Sequence, residues 1–272
     1  MFVNKKEIEK KNLFLLDSVI DVLNEHNLNW FAGYGTLLGA IRKGGFIPWD
    51  DDCDLLMLRE DYNKLLKFGR DWFKEPLFFQ TVDTDEYFRM FIRIRLDGTT
   101  YLCKWDDVKR GHHGMVLDIF PLDHVSDDLQ KRKELLDIRN MFCTSLRMKM
   151  KSPGNELSKE AFKFYNDFMT KINEENKYSK YLIDSGDSTV LKIECTFPRD
   201  SFTSYREVKF HGINNMLRIP EMAENILSIS YGEDWKSPKN YMRNRNILID
   251  PSRDYLIYRQ MAREEINKLF EK

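Results

Sequence analysis

The sequence predicts an α/β protein with a mixed sheet flanked by helices, and three observations carry that reading. Apolar runs of strand length alternate with helical periodicities along the chain. One of them, Leu55-Leu56-Met57-Leu58, reads as a buried strand, and it follows four aspartates in five positions, Asp50, Asp51, Asp52 and Asp54. Upstream, Gly33-Tyr34-Gly35-Thr36 reads as a turn from a short strand into a helix. The chain is long enough to bury a sizeable core, having 272 residues of which 42% are hydrophobic.

Taken in order, Leu15, Leu16, Val19, Ile20, Val22 and Leu23 recur near helical spacing and predict an amphipathic helix from about Lys5 to Glu25, closed by Asn27 and Asn29. Trp30-Phe31-Ala32 predicts the short strand before the glycine turn. Leu37, Leu38, Ala40 and Ile41 predict the helix after it, ended by Lys43-Gly44-Gly45. A helix is expected over Arg59 to Phe73, with strands over Leu77 to Val82, Phe88 to Leu96 and Met115 to Phe120, the last stopped by Pro121. Two helices, Asp127 to Met150 and Ser158 to Tyr181, meet at the turn Ser152-Pro153-Gly154-Asn155. Strand-like pieces follow near Val190 to Phe197 and Glu207 to Ile219, then helices over Pro220 to Tyr231 and Ser252 to Phe270. These boundaries divide the chain into a core over residues 1–126, a helical insertion or lobe over 127–187, and the remainder of the core with C-terminal helices over 188–272.

Charge and cysteine usage narrow the function classes. With 43 basic and 44 acidic side chains, the net charge of −1 gives no global attraction to nucleic acid or an anionic membrane. Cys53, Cys103, Cys143 and Cys195 form no C-x-x-C pair and read as reduced intracellular thiols. The N-terminus lacks the apolar core of a signal peptide, and no stretch approaches the roughly 20 apolar residues of a membrane span. A cytoplasmic protein is expected, with peripheral contact at the inner face of a membrane left open.

So many like charges in so little chain are tolerable mainly around a cation. On a strand, Asp52 and Asp54 point the same way, roughly 6.6 Å apart along it. Such a pair can bracket Mg²⁺, which prefers carboxylate oxygens, or Mn²⁺ in its place. Asp50 shares their parity but lies nearer the Pro-Trp loop, which leaves its direction open, whereas Asp51 should point away if the extended geometry begins there. An EF-hand beginning at Asp50 fails, because Leu55 and Asp61 stand where glycine and glutamate are required. Backbone N–H groups at Gly35 and Thr36, with a helix N-terminus behind them, suit a phosphate. Arg93 and Arg95, which share a parity with Arg89, form either adjacent guanidinium forks suited to a diphosphate or a solvated strand face. Asp118 interrupts an apolar strand, so a third metal ligand, a general base or an arginine salt bridge is expected there. His112 and His113 read as histidines of a flexible basic loop.

The segments Gly35-Thr36-Leu37-Leu38-Gly39-Ala40-Ile41-Arg42 and Gly45-Phe46-Ile47-Pro48-Trp49-Asp50-Asp51-Asp52-Cys53-Asp54 closely resemble the LicD family of phosphocholine transferases, which is similar in turn to fukutin and fukutin-related protein. Arg59-Glu60-Asp61-Tyr62, Asp118-Ile119-Phe120-Pro121-Leu122-Asp123, Tyr231-Gly232-Glu233-Asp234-Trp235 and Pro238 follow in order. A departure falls at Phe210-His211-Gly212, where the family pattern has an acidic residue. The resemblance implies a polymerase-β-like nucleotidyltransferase fold in which Asp52, Asp54 and Asp118 hold magnesium.

It also implies transfer of phosphocholine, or a similar substituted phosphate, from a CDP-linked donor to a hydroxyl of a glycan or lipid-linked glycan. That acceptor would be a cell-surface one such as lipopolysaccharide, teichoic acid or capsule, and CMP would be released. Asp118 or Asp50 would take the hydroxyl proton. Trp49, Tyr34 or Trp105 would offer a π face to a quaternary ammonium. Two rival readings are a nucleotidyltransferase that modifies a small molecule or protein, and a non-catalytic glycan- or metal-binding protein of the same fold.

Overall fold

The computed structural model describes residues 5–86, 89–149, 156–186, 196–237 and 246–270. In chain order the elements are α1 (Lys5–Glu25), β1 (Phe31–Ala32), α2 (Tyr34–Lys43), β2 (Cys53–Leu58), α3 (Arg59–Trp72), β3 (Leu77–Gln80), β4 (Ile92–Leu96), β5 (Thr100–Cys103), β6 (Met115–Val125), α4 (Leu129–Lys149), α5 (Glu156–Glu175), β7 (Tyr181–Asp184), β8 (Phe197–Pro198), β9 (Tyr205–Lys209), β10 (Met216–Pro220), α6 (Ala223–Tyr231), β11 (Ile247–Asp250) and α7 (Arg263–Leu269). The expected turn at 152–155, Phe88, the strand piece beginning at Val190, Cys195 and Pro238 lie outside the described residues.

The main sheet is mixed, with strand order β1-β2-β6-β4-β3, and β7 pairs with both β6 and β8. β2 and β6 run parallel, whereas the other pairs in this sheet are antiparallel. Two smaller ribbons, β9 with β10 and β5 with β11, lie outside it. β6 is buried along nearly its whole length, because α1 and α5 both pack against it. The expected stop at Pro121 is not observed. The strand continues to Val125 because Pro121 falls between the residues paired with β4 and those paired with β7, where its missing N–H costs little.

The chain between β6 and β7 forms α4 and α5, which build a second core from Leu135, Phe162 and Met169 with Val82, Met90, Val125 and Ile183. Residues 181–184 form a strand of the main sheet, although the helical spacing before them suggested that the helix continued to Tyr181. The helix expected over Ser252 to Phe270 is broken. A 3₁₀ turn at Tyr255–Gln260 precedes α7, because Met261 and Ala262 are extended and Tyr258 packs with Leu102, Val108 and Ile266.

Polar ties fix these layers. Arg59, 2% exposed at the start of α3, donates from Nε and Nη2 to the two oxygens of Asp123 on β6 at 2.7 and 2.5 Å. Its Nη1 reaches Asn166 Oδ1 on α5 at 2.7 Å, and its Nη2 also reaches Ser185 Oγ at 2.8 Å. Asp61 accepts from the backbone and side-chain amides of Asn29, which ties α3 to the entry of β1. Arg42 donates to the carbonyls of Trp235 and Ser237, bracing the end of α2.

The histidine loop is built into the core. His112 and His113 are 8% and 7% exposed. His112 stacks on Phe78, accepts the Gly114 N–H at Nδ1 and lies 2.8 Å from Asp97 Oδ1 through Nε2. A proton on Nδ1 would face the Gly114 N–H, so the neutral ring fits. Burial, helped by Arg95, pushes the His112 pKa down to about 3.

Two outcomes follow from these buried groups. Arg59→Met strands the Asp123 carboxylate and is expected to cost about 3–5 kcal/mol in urea unfolding, much of it recovered in Arg59→Met/Asp123→Leu. The unfolded chain takes up the His112 proton below its ordinary 6.5, whereas the folded chain takes it up only near 3. Stability contributed by this group is therefore lost as pH falls through that window. Between pH 7 and pH 5 the loss is about 2 kcal/mol, and it should disappear from His112→Gln when the two are compared by urea denaturation.

Candidate active site

Strand pairing assembles the acidic site. In the parallel β2–β6 pair Asp54 lies opposite Asp118, and in the antiparallel β4–β6 pair Arg93 lies opposite Asp118. Across three neighbouring strands the row reads Asp54, Asp118, Arg93. Carboxylates placed side by side repel. Arg93 offsets this by gripping Asp118 with both prongs, Nε to Oδ1 at 2.7 Å and Nη2 to Oδ2 at 2.9 Å. Asp118 is 4% exposed, so losing Arg93 would leave a buried carboxylate without its cation. The arginine salt bridge is thus the arrangement observed, and Arg93, expected to face a diphosphate, holds Asp118.

β2 begins only at Cys53. Cys53 is fully buried, its thiol 3.7 Å from the Asn12 carbonyl, while Asp52 and Asp54 on either side of it are half-buried. Asp50 and Asp51 precede the strand and line one cavity together with Trp49. Alternation applies only once the backbone is extended and paired, so the orientation expected of Asp51 from an extended backbone does not carry to a position before Cys53. The tyrosine hydroxyl of Tyr101 makes a long 3.4 Å contact to Asp52 Oδ2.

Crowding shows in the acidities. Burial, then Asp51, pushes the Asp50 pKa up to about 7. Asp52 is pushed well above the carboxylate range by burial and then by Asp50, Asp51 and Asp118, with Arg93 acting in the opposite sense. Asp54 is raised by burial, Asp52, Asp118 and Asp50, and the Gly35 N–H pulls the other way. Asp50 Oδ2 is buried without a hydrogen-bond partner. Among the described residues no three His, Cys, Asp or Glu side chains converge as a ready-made metal-ligand set.

The glycine turn is stitched to this strand. Gly33 N–H donates to the Asp54 carbonyl at 3.0 Å, and Asp54 N–H donates to Thr36 Oγ1 at 2.9 Å. The Gly35 N–H bonds the Asp54 carboxylate. Of the two backbone donors expected to meet a phosphate, the Gly35 N–H is therefore engaged with Asp54, and Thr36 meets the same residue as an acceptor through Oγ1. A Cβ on Gly35 would sit 2.6 Å from both Asp50 oxygens, so glycine permits the close approach of that carboxylate.

Tyr34, at φ 39°, donates its hydroxyl to Asp184 Oδ2 at 2.5 Å and meets Phe120 edge-on. Asp184 is fully buried, accepts the Gly186 N–H at 2.7 Å, and is pushed up to about 6 by burial against the opposing pull of Arg139. Asp184 is a site residue outside the motifs that mark the aspartate run. Its signal was an acid ending the apolar run Tyr181-Leu182-Ile183, the same kind of interruption that marked Asp118. Arg95 corrects another expectation. It is 3% exposed and donates to Gln80 Oε1 and the Gly114 carbonyl, so it braces β3 and the histidine loop instead of pairing with Arg93 as an open fork. Trp105 is exposed, and Trp49 packs partly against the main core.

Residues 27–145, which contain the turn, the acidic run, Arg93 and Asp118, match the LicD/FKTN/FKRP nucleotidyltransferase domain. They carry a LicD-family domain. The chain is 31% identical over 142 residues to the lipopolysaccharide cholinephosphotransferase LicD of Haemophilus influenzae, a match covering 48% of this chain and 51% of that protein. An uncharacterized protein of Rickettsia typhi is 43% identical over 56 residues, 20% of this chain and 18% of that protein. The chain thus spans about half the length of the Haemophilus relative and less of the Rickettsia one. No helix among the described residues is long and apolar enough to cross a membrane.

Removing one charge from this crowd should stabilise the fold. Asp52→Asn, of equal size, is expected to raise the unfolding free energy in the presence of EDTA at pH 7 by about 1–2 kcal/mol. A lower urea midpoint than wild type would show that the carboxylates are not under mutual strain.

Proposed function

We propose that the chain is a phosphotransferase of polymerase-β-like nucleotidyltransferase fold that moves phosphocholine, or a similar substituted phosphate, from a CDP-linked donor to a glycan hydroxyl. The observation that carries this reading is the row Asp54, Asp118, Arg93 beside Asp52, inside a LicD-family domain. The relative from Haemophilus is a cholinephosphotransferase acting on lipopolysaccharide. Acidic side chains presented at a strand end beside a helix N-terminus suit a reaction in which charge must be positioned and neutralised.

The carboxylates fit magnesium. Asp52 and Asp54 offer hard oxygens amid an excess of negative charge, and Asp50 Oδ2 has no donor. Mg²⁺ commonly takes one or two carboxylates and fills its remaining positions with water and phosphate oxygens. Asp52 and Asp54 would hold the ion, with Asp118 behind them, held in place by Arg93. When bound, it would supply neutralisation of the donor diphosphate and polarisation of the attacking hydroxyl.

The chain's own residues divide the remaining work. The diphosphate P–O bond breaks, CMP leaves with that electron pair, and the acceptor oxygen bonds the phosphorus. The hydroxyl proton passes to Asp50, whose Oδ2 is without a partner, in preference to Asp118, whose two oxygens already accept from Arg93. Gly35 and Thr36 hold Asp54 and the α2 N-terminus in register, and Asp184 holds Tyr34 of the same turn.

The test is CMP release from CDP-choline with Mg²⁺ and lipopolysaccharide, teichoic acid or capsular glycan. Wild type should release CMP and label the glycan with phosphocholine. Asp52→Asn and Asp54→Asn should each lose at least about a hundredfold in kcat while remaining folded by circular dichroism. Nucleotide on the acceptor instead of phosphocholine would favour nucleotidyl transfer, and full turnover by both variants would overturn the site.

A further inference from the structure

At the start of the aspartate run, α1 and the loop before β2 line a partly open cavity of about 430 Å³, within the size range of small-molecule sites. Trp49, Asp50 and Asp51 line it from the loop, and Lys5, Glu9 and Asn12 from the helix. Three carboxylates therefore stand against one ammonium in its lining.

Asn12 is the anomaly. α1 buries Ile8, Leu15, Leu16, Val19, Ile20 and Leu23, and position 12 belongs to the same stripe. An apolar side chain would complete it. Asn12 is instead 2% exposed with an Oδ1 that has no hydrogen-bond partner. An unanswered buried acceptor opposes folding, so core packing does not account for it. Asp50 Oδ2, in the same lining, is also without a partner. Two unanswered acceptors, an excess of carboxylate and an indole create a negative field that an organic cation satisfies without donating hydrogen bonds in a fixed geometry.

We propose that this cavity receives the ammonium headgroup of the transferred phosphate and thereby selects the donor. The assignment rests on the reading of the chain as a transferase of a substituted phosphate. It adds Asn12 and Glu9 as specificity residues beside Trp49, and places that indole in the same cavity. Asn12 and Glu9 lie before the residues that match the LicD-family domain, so selection is shared between that domain and α1.

Choline, ethanolamine and the uncharged choline isostere 3,3-dimethylbutanol are titrated onto the intact chain by calorimetry. Their CDP esters are then compared as donors for wild type, Asn12→Leu, Trp49→Leu and Glu9→Gln. Wild type is expected to bind an ammonium compound saturably and the neutral isostere weakly, the tighter of choline and ethanolamine naming the headgroup. Asn12→Leu and Trp49→Leu should each raise KM for the preferred donor about tenfold, with kcat and the neutral donor's KM changed less than about twofold. Should Asn12→Leu not fold, Trp49→Leu and Glu9→Gln carry the same comparison. Equal use of charged and neutral donors, or unchanged selectivity in the folded variants, overturns the proposal while leaving transfer intact. Asn12-dependent binding of choline with no transfer from any CDP ester would instead sink the transferase reading and keep the cation site.

Discussion

The parallel pairing of β2 with β6 sets two carboxylates, Asp54 and Asp118, side by side, and the rest of the structure is arranged around that unfavourable contact. Arg93 arrives on the next strand to grip Asp118. The Gly35 N–H and the N-terminus of α2 meet Asp54 from the other direction. Helices pack against β6, so the pair lies in a medium where charge is felt strongly. Such a site holds concentrated negative charge at a cost to the stability of the fold.

Many of the residues that mark the LicD-like motifs brace this row without touching it. Arg59 joins β2's end to β6 and α5 through Asp123 and Asn166, and Asp61 fixes the approach to β1 through Asn29. Arg42 ties α2 to the Trp235 segment. Each brace is a buried or half-buried polar contact made across elements distant in sequence. They hold in place the turn and strands that carry the acids, which must keep their register despite mutual repulsion. The helical pair α4–α5 is bound to the same frame through Asn166, so it shares the rigidity of the site.

Where a signal was local, the residues revealed it. The stripe of α1, the left-handed glycine that ends α2 and the apolar run of β2 all appear in the structure within a few residues of their expected limits. Elements defined by distant partners were less legible. β5 and β11 are four residues each and make sense only as a pair. β7 follows a long helical pattern and becomes a strand because the edge of β6 beyond Pro121 needs a partner. The same limit applies to side chains. Arg93 and Arg95 share a parity, yet one meets a carboxylate across the sheet and the other a glutamine and a carbonyl, a difference set wholly by the neighbouring strands.

The sequence by itself determined the chemistry on offer: an excess of hard carboxylate oxygens at the start of a buried strand, a glycine turn before it, and a third acid inside another apolar run. Residue type and short-range periodicity suffice for that, because a strand alternates and a glycine permits close approach wherever they occur. Only the tertiary structure decided the division of labour. Strand register put Asp118 between Asp54 and Arg93, the onset of pairing at Cys53 released Asp50 and Asp51 to face the cavity under α1, and the return of β7 delivered Asp184 to Tyr34. Those outcomes depend on which chain segments become neighbours, and that is settled by burial of the whole core.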